Sequence, residues 1–318
     1  MTRPLAIAAL LLAALPLSPS AQSDVISLAS VTSDGMLVPF AVYDGKNWLT
    51  PWPEPGSSAV DSIENPTAEQ LEALPTFWKT KGLQVPKVWR LWLSDGTGPS
   101  HISVLKRVGY EAGCERQAGL VTDFKHEPNL HLTRYLASDG PVSIEHPIDL
   151  RTAETRAAGW EDVVEAIMKA FPLHEERAIA EWRKGGAAFN LSRTARLAQP
   201  IQLRKLYAHR DGRRRVVFFE GVREYNVPLS EPGCNGKTFF SGWAISDNGA
   251  APVIRGGPAV VTDCDEMETT RAVPLGVIRG VADGLWILNN QYYESDALSI
   301  VSVGRTIREL LQTHGGGC

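Results

Sequence analysis

The stretch Gly35–Pro55, GMLVPFAVYDGKNWLTPWPEP, places a short apolar segment on each side of an Asp-Gly pair, Asp44 and Gly45. Glycine accepts the positive φ angle that a tight hairpin turn requires, and aspartate tolerates it. We therefore predict a β-hairpin here, with strands at about Leu37–Tyr43 and Asn47–Trp52. This hairpin is the unit from which the rest of the fold can be predicted.

The same turn signal recurs along the chain. Asp-Gly, or the variant Asp-Asn-Gly, separates short apolar segments, and the turn glycines are Gly45, Gly96, Gly140, Gly212, Gly249 and Gly284. Because Pro141 directly follows Gly140, the hairpin at that position is the weakest of the set. Repeated hairpins of this kind predict a mainly antiparallel β protein.

One long interval between these turns carries a helical pattern. In GWEDVVEAIMKAF, residues 159–171, large apolar side chains recur on one face at helical spacing. Pro172 can begin a second helix, which we expect to end at Lys184 with Gly185 as its cap. If residues 152–184 are a helical insertion, the turn spacing becomes regular and is typical of propeller blades. The predicted fold is mainly β, with antiparallel hairpins in a propeller-like arrangement; a β-sandwich or barrel is the alternative.

Two shorter helices are also predicted. The segment NPTAEQLEALP, residues 65–75, has a capping-box pattern at Thr67 and Gln70, and a proline ends it. The tail VGRTIRELLQTHGGGC, residues 303–318, is expected to form a short terminal helix that ends in flexible glycines.

The N-terminus has the layout of a secretory signal peptide. Arg3 precedes the apolar run Leu5–Leu17, and small residues and prolines follow it. The run is too short for a stable transmembrane anchor, although a retained anchor is the alternative interpretation. Its Ala/Leu-rich composition is typical of bacterial signals. We expect residues 1–23 to be removed, residues 24–318 to form a β-rich domain, and the protein to be periplasmic or secreted.

The net charge of the chain indicates which classes of partner it is suited to bind. The formal net charge is −4, which argues against nucleic acid as a general partner. The basic run HRDGRRRV, residues 209–216, surrounds an Asp-Gly pair and is interpreted as a solvated turn.

Four cysteines in an exported chain favour disulfides. Cys234 and Cys264 lie at equal distances from the turn at Gly249, so a simple hairpin would bring their sulfurs together at its open end. Cys114 and Cys318 are then left to pair by elimination. The alternatives are isolated thiols or a different pairing, such as Cys264 with Cys318.

Tryptophans are the candidate ligand-binding residues. Trp48 and Trp52 share the same parity on their predicted strand and are the better candidates for an exposed pair that stacks on a ligand. Trp89 and Trp92 have opposite parity, so a strand would place them on opposite faces, and we interpret them as core residues.

The sequence lacks strong signals for cofactors or catalysis. The segments DFKHEPNLH, with Asp123, His126, Glu127 and His131, and TDCDEME, with Asp263, Asp265 and Glu266, do not match the spacing of zinc or calcium sites. No nucleophile elbow, phosphate-binding loop or dinucleotide fingerprint occurs. No cofactor is therefore predicted.

These observations predict an exported, disulfide-stabilised β protein that binds a ligand or an envelope partner without catalysis. The alternative is a secreted hydrolase or lyase acting on glycans or peptides, for which catalytic residues cannot be selected before the fold is known.

Overall fold

The computed structural model describes residues 25–51, 86–93, 99–111, 117–125, 134–152, 159–185, 189–228, 235–262, 271–279, 284–292 and 295–317. Strands greatly outnumber helices among them, and the sheets are antiparallel, which confirms the predicted fold class. The predicted signal peptide and the predicted helix at 65–75 lie outside the described residues.

The N-terminal strands close into a barrel. They are β1 (Ile26–Thr32), β2 (Met36–Tyr43), β3 (Trp48–Leu49), β4 (Val88–Trp92), β5 (Pro99–Glu111), β6 (Gln117–Thr122) and β7 (Arg134–Asp139). The strand order is β1-β7-β4-β5-β6-β2, and β2 pairs back with β1, so six strands form a closed ring with β3 added outside β2. The barrel named as an alternative is therefore present in this part of the chain.

The remaining strands form two open sheets. The central sheet has the order β18-β17-β16-β15-β8, with β8 (Ser143–Glu145), β15 (Arg271–Arg279), β16 (Leu285–Gln291), β17 (Ser295–Val303) and β18 (Ile307–Gly317). The helix-facing sheet has the order β13-β12-β11-β10-β9, and β14 also pairs with β12. Its strands are β9 (Ile148–Asp149), β10 (Ile201–Asp211), β11 (Arg214–Pro228), β12 (Asn235–Ser246), β13 (Val253–Gly256) and β14 (Val260–Thr262).

The central sheet is buried on both faces. In β16, Leu285 and Ile287 join the apolar cluster shared with the barrel. The alternate residues Trp286 and Leu288 join the cluster shared with the helix-facing sheet. The layers therefore follow the order barrel, central sheet, helix-facing sheet, helix, because side chains of a strand alternate between its two faces.

The predicted helical insertion is present, but as one helix. Helix α1 (Glu161–Lys184) runs without a break through Pro172, so the prediction of a separate second helix beginning at that proline was wrong. The apolar face continues on both sides of the proline: Phe171 before it and Ile179 after it are buried, and the Phe171 ring packs edge-to-face on Phe240, with ring centroids 6.1 Å apart. Packing on the sheet therefore outweighs the cost of one lost helical hydrogen bond. A short helix, α2 (Arg193–Leu197), follows.

Most of the predicted hairpin turns are found. Gly45, Gly212 and Gly249 have positive φ angles and lie between paired strands. Gly284 directly precedes β16, which pairs with β15. Gly96 lies outside the described residues, although β4 and β5 on either side of it pair antiparallel. The regularly spaced turns belong to three different sheets.

Gly140 does not form a hairpin. Its φ angle is +103°, but β7 before it belongs to the barrel and β8 after it belongs to the central sheet. A Cβ at this position would lie 2.6 Å from the carbonyl oxygen of Val25, so only glycine fits here. The Asp-Gly signal marks a turn at this place, but the chain uses it to pass from one sheet to the next.

The C-terminal segment is a strand, so the predicted terminal helix was wrong. β18 pairs with β17 from Ile307 opposite Val303 to Gly317 opposite Ser295. Ile307 and Leu311 are half-buried against core clusters of the central sheet. The pairing satisfies one edge of β17, and this long-range interaction outweighs the local helical pattern.

Sequence reasoning missed the hairpin between β1 and β2. Asp34 and Gly35 connect β1 to β2, and Gly35 has a φ angle of +92°. It is the same Asp-Gly signal as in the other turns, so it was available in the sequence.

Among the described residues, no helix is both long and apolar enough to cross a membrane.

Candidate functional site

An open cleft of about 580 Å³ lies where the β10–β11 turn, the β12–β13 turn and the start of α1 meet. Its lining residues are Gly159, Arg210, Gly212, Arg213, Arg215, Asn248 and Gly249. Among the described residues that line it, the charged ones are all arginines. The described part of the cleft is therefore basic.

Two tight turns leave space in the cleft. Gly212 has a φ angle of +56° and Gly249 one of +77°, and a Cβ added to either would meet no atom within 4 Å. Asn248 also has a left-handed backbone, with a φ angle of 52°, which asparagine tolerates better than most residues. The backbone of both turns is thus accessible from the cleft.

Trp160 supports two of the arginines. Arg210 and Arg215 lie directly opposite each other on β10 and β11. Their guanidinium carbons lie 5.5 and 5.7 Å from the Trp160 ring centroid. Trp160 itself is buried. A cation–π contact of this kind contributes roughly 0.5–2 kcal/mol and holds both guanidiniums in place.

Arg215 is held by the start of α1. Its Nη1 and Nη2 lie 2.9 and 2.6 Å from the two carboxylate oxygens of Asp162, and Nη1 also donates to the carbonyl oxygen of Gly159 at 2.5 Å. The Arg215 hydrogen bond lowers the pKa of Asp162 below its usual value. Arg215 therefore fixes one wall of the cleft and has much of its charge compensated.

Arg210 and Arg213 are different, because neither pairs with a carboxylate among the residues that the structure describes. Both side chains are exposed. The nearby carboxylate of Glu161 accepts the backbone N–H of Gly159 at 2.8 Å. A guanidinium has five donors in a planar fork that matches the oxygens of carboxylate, sulfate or phosphate groups. The cleft is thus suited to bind an anion, and its described lining residues include no histidine, carboxylate or hydroxyl.

A second cluster of ionisable groups lies on β10 and β11. Lys205 and Glu220 face each other across the strands, with Nζ 2.9 Å from Oε2. Burial lowers the pKa of Lys205, against the opposing effect of Glu220. Burial also raises the pKa of Tyr207, two residues further along the same strand. The guanidinium of Arg151 lies 5.9 Å from the Tyr207 ring centroid. This cluster offers a lysine and a tyrosine whose pKa values are both shifted by burial.

The sequence-predicted site residues lie elsewhere. Trp48 is half-buried in β3, with its ring centroid 5.2 Å from that of Tyr43, and packs against the core between the barrel and the central sheet. Trp52 lies outside the described residues, as do Cys114, Cys234, Cys264 and Cys318. Trp48 is not among the residues that line the basic cleft.

Trp89 and Trp92 are buried on opposite faces of β4, as their parity predicted. Trp89 belongs to the cluster inside the barrel, and Trp92 to the cluster between the barrel and the central sheet. Both are core residues.

Sequence reasoning missed the cleft. The basic run at residues 209–216 was interpreted as a solvated turn, and its arginines are indeed at a turn. The cleft also needs Asn248 and Gly249 from the next hairpin and Gly159 from before α1, which are far apart in sequence. The density of arginines around Gly212 was the available signal. The sequence alone does not show that Gly159, Asn248 and Gly249 complete the cleft.

The metal candidates from the sequence are only partly described. Asp123 accepts the backbone N–H of Ser103 at 2.8 Å, while His126, Glu127, His131, Asp263, Asp265 and Glu266 lie outside the described ranges. Within those ranges, no group of three histidine, cysteine, aspartate or glutamate residues is placed to hold a metal ion.

Comparison of the chain with protein-family models, with curated proteins and with solved structures gave no significant match. The geometry of the cleft therefore carries the functional argument.

Proposed function

We propose that this chain is an exported, disulfide-stabilised β protein that binds an anionic ligand in the basic cleft without catalysing a reaction. The observation that carries the proposal is the pair of exposed arginines, Arg210 and Arg213, that have no carboxylate partner among the described residues. The signal-like N-terminus supports an extracytoplasmic ligand.

The preorganised arginine side chains of the cleft support ligand binding more than catalysis. Arg210 and Arg215 are held on Trp160, and Arg215 is also bound to Asp162, so the basic wall is organised before a ligand arrives. Preorganised groups lose less entropy on binding. The described lining residues offer donors and positive charge and include no nucleophile or general base.

Isothermal titration calorimetry with sucrose octasulfate, a compact polyanion, tests this function. We expect saturable binding that weakens as the salt concentration rises, since screening reduces charge–charge attraction. Replacing Arg210 and Arg213 by alanine should weaken binding by about tenfold or more per arginine, because a hydrogen bond to a charged group contributes roughly 1.5–3 kcal/mol.

Lys169→Ala is the matched control for this titration. Lys169 is an exposed cation on α1 that pairs with Glu165 and does not line the cleft. Equal losses in the control and in the arginine variants, or no binding by the unaltered protein, would contradict the proposal.

A second candidate function is a hydrolase or lyase acting on glycans or peptides, favoured by the Lys205–Glu220 pair beside Tyr207. In an elimination reaction, Lys205 would take the proton next to a carboxyl group, and Tyr207 would donate its proton to the departing oxygen while a C=C bond forms. The test is the appearance of unsaturated products from polygalacturonate, and their loss in Lys205→Met and Tyr207→Phe. Product formation that persists in both variants would remove this candidate.

A further inference from the structure

The basic surface continues beyond the cleft to the turn between β17 and β18. Arg214 follows the cleft residue Arg213, and its Nη2 donates to the carbonyl oxygen of Val303 at 2.7 Å. This hydrogen bond ties the start of β11 to the turn that contains Arg305, between Gly304 and Thr306. Arg305 is exposed and has no partner among the described residues.

The arginines at this end of the molecule outnumber the aspartates that pair with them. They are Arg210, Arg213, Arg214, Arg215, Arg279 and Arg305. Three of them form ion pairs: Arg214 with Asp247 at 3.3 Å, Arg215 with Asp162 at 2.6 Å and Arg279 with Asp211 at 2.6 Å. In addition, Arg279 contacts Glu145 at 3.0 Å. The arginines that have no carboxylate partner in the described part of the chain are Arg210, Arg213 and Arg305, and they lie on two different turns.

We propose that the cleft and the β17–β18 turn form one continuous surface for a linear, sulfated or carboxylated polysaccharide. This inference rests on the proposed function and names its ligand class. A small anion would be satisfied by the cleft alone, whereas Arg305 lies outside it on a separate turn and meets only a ligand that extends beyond the cleft.

The chemistry of the surface favours a polysaccharide over a nucleic acid. Proteins that bind single-stranded nucleic acid stack bases on exposed aromatic rings. None of the described lining residues is aromatic, and Trp160 lies buried beneath Arg210 and Arg215.

Titration of heparin-derived oligosaccharides of increasing length tests the inference, with the disaccharide and the dodecasaccharide as the two ends of the series. We expect affinity to increase with length. Arg213→Ala should weaken binding of both. Arg305→Ala should weaken only the dodecasaccharide, by about twofold to fivefold, since a hydrogen bond or ion pair at an exposed site is screened. Lys169→Ala should change neither affinity.

The outcomes separate this inference from the proposed function. If Arg213→Ala weakens binding but Arg305→Ala leaves the dodecasaccharide affinity unchanged, the extended surface is refuted while anion binding in the cleft stands. If neither oligosaccharide binds and sucrose octasulfate does not bind either, both proposals fail. If oligothymidylate of similar charge binds as tightly as the dodecasaccharide at the same ionic strength, the assignment to polysaccharide is overturned.

Discussion

Glu175 is fully buried at the interface between α1 and the helix-facing sheet, and its charge is compensated by a network of polar contacts. Its carboxylate accepts hydrogen bonds from Arg223 at 2.5 Å and from the hydroxyl of Tyr225 at 2.8 Å. Arg196 of α2 lies 3.8 Å from the same carboxylate and donates to Glu176 at 2.8 Å. A carboxylate at such a position is tolerated only because these partners are present.

Removing one partner from this network should destabilise the fold. We expect Arg223→Met to lower the free energy of unfolding by about 3–5 kcal/mol, because it leaves the buried Glu175 charge without its closest cation. Urea denaturation measures this loss. Lys184→Met is the control, since Lys184 is exposed and pairs with the exposed Glu181, and it should change stability by less than about 1 kcal/mol. A loss for Arg223→Met no larger than that of the control would show that the network contributes little.

His209 should make stability depend on pH. It is buried beside Glu145, Arg279 and Asp211, and burial lowers its pKa, with Arg279 acting in the same direction. The unfolded chain therefore takes up a proton at a higher pH than the folded chain. Stability from the neutral ring is complete above the unfolded pKa of about 6.5 and is lost as the pH falls through the lower folded pKa.

The measurement compares urea unfolding at about pH 7.5 and about pH 5, on either side of the unfolded histidine pKa. His209→Gln should reduce the loss of stability between the two values, because the variant has no proton to take up at this position. His101→Gln, at an exposed position on β5, should leave the difference unchanged. An unaltered pH dependence in His209→Gln would exclude this histidine as its cause.

For single elements, the sequence predicted the turns better than it predicted the type and length of the helices and strands. The turns at Gly45, Gly212 and Gly249 follow from the φ angle that the glycine must adopt. In contrast, residues 307–317 carry a local helical pattern and still form a strand, because β17 offers a long edge to pair with. The prediction of a new helix beginning at Pro172 was likewise wrong, because α1 packs against the sheet both before and after this proline.

Pro172 should still cost α1 some stability. Because proline lacks the N–H and its ring crowds the preceding turn, Pro172→Ala should raise the free energy of unfolding by about 1–3 kcal/mol. Thermal and urea unfolding would show this gain. The control is Leu173→Ala at the adjacent exposed position, which should leave stability nearly unchanged. A clear decrease for Pro172→Ala would mean that the proline ring is needed for packing.

The pairing of Cys234 with Cys264 stays a prediction, because both cysteines lie outside the described residues. β12 and β14 pair with Lys237 opposite Thr262, and Cys234 and Cys264 follow shortly beyond these two residues. We expect peptide mapping under non-reducing conditions to recover Cys234 linked to Cys264, with Cys114 linked to Cys318.

Closing a loop of this size should stabilise the fold by about 3–4 kcal/mol on the chain-entropy argument. The double variant Cys234→Ser/Cys264→Ser should lose this amount, measured by urea unfolding in oxidising buffer. Recovery of both cysteines as free thiols would contradict the pairing.

For the molecule as a whole, only the fold class could be predicted from the sequence. The antiparallel hairpins follow from local signals, but the closure of the barrel depends on β1 pairing with β7 as well as with its neighbour β2, and β7 is distant from β1 in sequence. The position of the central sheet was equally hidden, although the uninterrupted apolar run Leu285–Leu288 is typical of a strand buried on both faces. The candidate site was missed because it joins two turns and a helix start from three regions of the chain.

Export is a prediction about the whole molecule. We expect protein recovered from the cell envelope or medium to begin within residues 21–24, because the run Leu5–Leu17 and the small residues after it form a cleavable signal. N-terminal sequencing checks this. An intact Met1 on protein recovered from the cytosol would refute it.

The layer order has a consequence for how the chain reaches its final state. Apart from β8, the middle layer consists of strands from residues 271–317, which are synthesised after the strands of the barrel and of the helix-facing sheet. Until those strands emerge, the barrel and the helix-facing sheet each expose an apolar face with nothing to cover it. A chain that passes through an export channel from its N-terminus would therefore keep both apolar faces exposed until residues 271–317 leave the channel. Such a protein would depend on a chaperone during export more than its modest size implies.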